Sequence, residues 1–103
     1  MAKTFTSPQT GSEYRVVAEY GDFLICYRPI DGGKRFRVRI QGPEPLSLCG
    51  VKKRLHNFDI WSNVKDGDHI SVVVPNDGQS LANAVADAVR AVMLYPFGKG
   101  GEE

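Results

Sequence analysis

The residues of this chain best suited to chemistry are basic. Arg28, Lys34, Arg35, Arg37 and Arg39 crowd into one short stretch, and Lys52, Lys53 and Arg54 follow closely. A guanidinium presents a planar fork of donors that matches the oxygens of a phosphate or carboxylate. Between positions 28 and 54, eight bases stand against two acids, a net +6. The flanks run the other way: residues 1–27 carry two bases and three acids, residues 55–103 three bases and seven acids. The whole chain is therefore only +1. This is an electrically polarised protein rather than a cationic coat.

Other chemistries leave weaker traces. The candidate metal ligands are Cys26, Cys49, His56 and His69, and their spacing matches no zinc pattern. Cys49 lies between Pro45 and Gly50, with His56 seven residues on and Lys52, Lys53 and Arg54 between. Such surroundings suit a low-pKa thiolate, yet no oxyanion-hole signature or third catalytic member accompanies them. The glycines of Asp31-Gly32-Gly33-Lys34 and Gly98-Lys99-Gly100-Gly101 lack phosphate-loop spacing. Asp66 and Asp68 flank a glycine and read as turn formers. Two cysteines without the apolar core of a secretory signal at the amino terminus read as free thiols, with a cytoplasmic location expected. No cofactor motif is present.

Three segments between positions 14 and 40 alternate polar and apolar residues, separated by Gly21-Asp22 and Asp31-Gly32-Gly33. These dipeptides favour hairpin turns, because primed turns need positive φ. Pairing the strands across Gly21-Asp22 sets Tyr20 against Phe23, Ala18 against Ile25 and Val16 against Tyr27. The second turn, at Asp31-Gly32 or Gly32-Gly33, changes partners but not faces. One face then holds Tyr14, Val16, Ala18, Tyr20, Phe23, Ile25, Tyr27, Phe36, Val38 and Ile40. The other holds Arg15, Val17, Glu19, Leu24, Cys26, Arg28, Arg35, Arg37 and Arg39. Agreement of three independent patterns is what a true meander requires. Arg28 faces Arg35 or Arg37, and like charges placed opposite one another are mildly destabilising.

Two prolines suggest that residues 41–50 form an irregular connection, with a short helical turn and an extended segment over 51–64. A β-branched strand is expected over 69–74. Asp77 or Ser80 would cap a helix running to about Leu94, stopped by Pro96 and Gly98. Its polar stripe is only Asn83, Asp87 and Arg90, which predicts a mostly buried helix. The expected fold is α+β: an antiparallel meander of four to five strands with one C-terminal helix packed on one face, a two-layer sandwich. Residues 13–97 form the domain, with a loose lead-in over 1–12 and a flexible tail over 98–103.

At 103 residues with 42% hydrophobic and 24% charged residues, the chain is one globular domain with no membrane span. The absence of a catalytic signature favours a binding protein over an enzyme. The expected partner is nucleic acid, held at its phosphates by Arg28, Lys34, Arg35, Arg37 and Arg39, with Lys52, Lys53 and Arg54 added. Trp61 is the candidate stacking residue, with Phe58 beside it. The plain alternative for the row is a solvated face whose arginine stems cover Val17, Leu24 and Cys26. An acidic protein, or a second copy of the chain docked on the sheet face or edge, is the other partner expected for a protein-interaction module.

Overall fold

The computed structural model describes residues 3–8, 10–42, 45–62 and 69–102. Five antiparallel strands follow one another in chain order: β1 (Lys3–Thr6), β2 (Glu13–Tyr20), β3 (Phe23–Ile30), β4 (Arg35–Gln41) and β5 (His69–Pro75). Two helices, α1 (Pro45–Lys52) and α2 (Gly78–Glu102), complete the α+β fold. Among the described residues, no helix is long and apolar enough to cross a membrane.

Turn chemistry sets the meander. Gly21 has φ +58°, and the β3–β4 connection places Asp31, Gly32 and Gly33 all at positive φ. Glycine enters that region without steric cost, and aspartate tolerates it better than most residues. Asp31 also reaches forward to form an ion pair with Arg35. The resulting β3–β4 register sets Ile25 against Ile40, Tyr27 against Val38 and Arg28 against Arg37. This is the pairing expected for a Gly32-Gly33 turn.

The inner face of the sheet carries Ile25, Val38, Ile40, Ile70 and Val72, which pack with Leu48 and Val51 of α1 and Ala88, Ala91 and Val92 of α2. Each fully buried aliphatic side chain contributes about 1.5–3 kcal/mol. Alanines at 88 and 91 let the α2 backbone approach the sheet closely.

The β2–β3 pairing contains a correction to strict alternation. Tyr20 pairs with Phe23 and Ala18 with Ile25, as alternation predicts, but Val16 pairs with Cys26 and Arg15 with Tyr27. Val17 is an extra residue, a β-bulge. One inserted residue exchanges the faces of everything before it. Tyr14 and Val16 therefore join the arginine face, and Arg15 leaves it. Lys3–Thr6, expected within a loose lead-in, form β1 and pair with this pre-bulge segment, Phe5 against Tyr14 and Lys3 against Val16.

Three further differences concern helices. Pro45 opens α1 in place of the expected irregular connection. Proline suits a first helical position, where its missing N–H has no partner to lose. Pro96 does not stop α2, which continues to Glu102; one absent N–H weakens a helix without ending it. Nor is α2 mostly buried: Ala82, Asn83 and Ala86 are exposed, and only one stripe meets the core. The extended segment expected within residues 51–64 is, over Phe58–Ile60, a single turn of 3-10 helix instead; residues 63–64 and the turn at Asp66-Gly67-Asp68 lie outside the described residues.

Candidate functional site

Strand pairing brings Arg28, Arg37 and Arg39 to the outer face of the sheet. Arg28 lies directly across from Arg37, Cys26 across from Arg39, and Ser71 of β5 across from Arg39 on its other side. The alternate residues Phe36, Val38 and Ile40 point into the core or its margin. The bulge adds aromatic walls to this face. The Arg39 guanidinium carbon lies 5.2 Å from the centroids of both the Phe5 and Tyr14 rings, and that of Arg28 lies 5.9 Å from the Tyr14 ring. Such contacts suit a guanidinium, whose charge is drawn to the ring face.

Arg39 is 3% exposed, an unusual position for a charge. Its Nε and Nη2 donate to Gln41 Oε1 at 3.0 and 2.7 Å. Arg37 Nη1 donates a long hydrogen bond to Ser71 Oγ at 3.4 Å. Among the described residues, none of Arg28, Arg37 and Arg39 forms an ion pair with a carboxylate. The sheet thus gathers three positive charges held only by neutral groups. Beneath them Cys26 is fully buried, and burial pushes its thiol up to about 12 against a partial opposing pull from Arg39.

A recess of about 280 Å³ opens over these groups, lined by the three arginines, Ser71 and the hydroxyl-bearing residues Ser12 and Thr10 among others. The connection between β1 and β2 walls one side. There the Ser7 N–H donates to Ser12 O and the Gly11 N–H to Ser7 O, both at 2.8 Å, and Thr10 Oγ1 donates to Ser12 Oγ at 3.0 Å.

The remaining basic residues are dispersed. Arg35 is committed to Asp31, and Lys34 is exposed beside the turn. Lys52, Lys53 and Arg54 lie at the end of α1, on the helical side of the sheet, so the net +6 stretch is divided between two surfaces. Lys52 Nζ donates to Phe58 O at 2.8 Å and Arg54 Nη1 to Gly50 O at 2.8 Å. Trp61 is 3% exposed within the core cluster and offers no stacking surface; Phe58 is 50% exposed, but on the helical side. Tyr14 and Phe5 were not legible as members of the arginine face, because nothing in the alternation of residues 14–20 marks Val17 as an insertion.

Comparison with known protein families, characterised proteins and solved structures finds no match to this chain.

A larger groove, about 550 Å³, lies between α2 and the 56–61 segment, with Ile60, Trp61, Asn83 and Asp87 among its walls. Its acid is already employed. Asp87 accepts the His56 N–H at 2.9 Å, the Asn57 N–H at 3.5 Å and Arg90 Nη2 at 3.1 Å. Arg90 Nη2 also donates to Arg54 O at 2.6 Å. These bonds fasten α2 to the preceding loop. Cys49 is exposed on α1, and the His56 backbone N–H is held by Asp87. The edge at β5 is partly used: Ser62 N–H donates to Ser71 O at 2.8 Å, and Ser71 N–H to Ser62 Oγ at 3.0 Å.

Proposed function

We propose that this protein binds nucleic acid through the outer sheet face, contacting phosphates with the part-exposed Arg28 and Arg37, above the charge of the buried Arg39. The observation that carries this reading is the gathering of three guanidiniums with no carboxylate partner among the described residues, next to serine and threonine hydroxyls. Keeping two arginines directly opposite one another costs stability, and an anion offsets that cost. The aromatic rings of this face lie against arginine and Trp61 lies in the core, so base stacking has little support. Recognition through phosphate oxygens, with little sequence preference, is the consequence.

Fluorescence anisotropy with single-stranded and duplex oligonucleotides across a salt series tests the reading. Two phosphate contacts give a slope of log K against log salt of about −1.4 for single strands and about −1.8 for duplex. Binding that ignores salt, or no binding to any RNA or DNA, overturns it. Recovery of one acidic protein in a stoichiometric, nuclease-resistant complex, without nucleic acid, would replace it with the protein-interaction reading.

A further inference from the structure

We infer that the recess over Arg28, Arg37 and Arg39 is a seat for a terminal phosphate of a nucleic-acid strand, a phosphomonoester rather than an internal diester. This rests on the nucleic-acid reading above and narrows it to a strand end.

Charge is the first reason. A phosphomonoester carries about −1.5 to −2 near neutral pH and three acceptor oxygens, whereas an internal diester carries a single charge. Three guanidiniums without carboxylate partners among the described residues line the recess, more positive charge than one diester can match. Shape is the second. An internal phosphate must leave its site in two directions along the strand. Here Ser7, Thr10 and Ser12 line one side of the recess, held by bonds from the Ser7 N–H to Ser12 O and from the Gly11 N–H to Ser7 O, and narrow the path on that side. A chain end needs only one exit.

Preorganisation is the third reason. Arg39 is fixed before any ligand arrives, gripped by Gln41 and flanked by Phe5 and Tyr14. Little side-chain freedom remains to be lost on binding. Ser71 Oγ accepts from Arg37 at 3.4 Å, which leaves its own proton to donate to a phosphate oxygen. Ser12 Oγ accepts from Thr10 in the same way.

The test compares one oligonucleotide sequence in three forms, with a 5′-phosphate, a 3′-phosphate or hydroxyls at both ends. A terminal phosphate is expected to tighten binding at least tenfold, with inorganic phosphate and a mononucleotide erasing the difference by competition. Arg37→Gln and Ser71→Asp, each checked for native circular dichroism, are expected to abolish the increment. If Arg37→Gln fails to fold, Ser71→Asp decides alone, because it places a carboxylate in the recess from an already partly exposed position. Equal affinity for all three forms, still salt-dependent and still lost in Arg37→Glu, overturns the strand-end seat and leaves backbone binding intact. No binding to any form overturns both.

Discussion

Arg28 and Arg37 stand directly opposite one another on β3 and β4, and neither forms an ion pair with a carboxylate among the described residues. A protein needing only a stable hairpin gains from opposite charges at such a position. Arg28→Glu is therefore expected to raise stability by about 0.2–1 kcal/mol while weakening oligonucleotide binding. Thermal unfolding and anisotropy on the same sample check both signs. A variant that loses stability and keeps its affinity contradicts the assigned role of the pair.

Cys26 and Cys49 are expected to differ in reactivity. Cys26 is fully buried with its thiol pushed up to about 12, whereas Cys49 is exposed on α1. The thiolate is the reacting species. Alkylation of the native protein followed by mass spectrometry should label Cys49 and spare Cys26 until the chain unfolds. The same shift has a sign for stability. The folded state holds its proton more tightly than the unfolded state, whose thiol titrates near 9.0. The stabilising contribution is complete below pH 9 and is lost as pH rises from there toward 12. Cys26→Ala should flatten that alkaline decline.

Asp77 supplies the opposite case. It caps α2, accepting the Ser80 N–H at 2.6 Å and the Ser80 hydroxyl at 2.9 Å. The Ser80 backbone bond, followed by its hydroxyl, holds the carboxyl below its ordinary 3.8. The unfolded state takes up its proton first on acidification. The cap therefore stabilises fully above about pH 4 and fades as pH falls through the lowered folded value. Asp77→Asn keeps an accepting oxygen without titrating, so its acid unfolding curve should be flatter than that of the wild type.

Asp87→Ala should release the segment after α1. The substitution leaves the His56 and Asn57 amides without their shared acceptor and removes the Arg90 ion pair. A cost of about 0.5–1.5 kcal/mol is expected, because His56 and Asn57 are exposed and water can replace the lost acceptor. Hydrogen exchange at the His56 and Asn57 amides should accelerate, while β3 and β4 remain protected.

Gly42→Ala tests the packing of α1. A β-carbon there would lie 2.8 Å from Leu48 Cδ2 and 3.1 Å from Phe23 Cε1, both in well-buried side chains. Overpacking of this kind costs about 1–3 kcal/mol. Gly42→Ala combined with Leu48→Ala should recover part of the clash energy in denaturant unfolding, because the space is then shared.

The sequence alone determined the meander of β2, β3 and β4, the turn at Gly21-Asp22, a helix start at Asp77 or Ser80 and the two-layer plan. Each depends on neighbours in the chain: side chains alternating at period two, glycines that accept positive φ, and a short polar residue at a helix start. The faces of Phe23 through Ile40 were legible for the same reason. Tertiary structure alone decided the rest of the site. Val17 looks like any other strand valine, and only its lack of a partner across β3 makes it a bulge. That single residue carries Tyr14 over to Arg39 and aligns Phe5 beside them. The division of the basic stretch is likewise a matter of layers: Lys52, Lys53 and Arg54 are near Arg39 in sequence, but α1 packs on the opposite side of the sheet. Local pattern records which way a side chain points relative to its neighbours. What it meets there depends on segments far away in the chain, here 13 residues apart for Cys26 and Arg39 and 34 for Arg37 and Ser71.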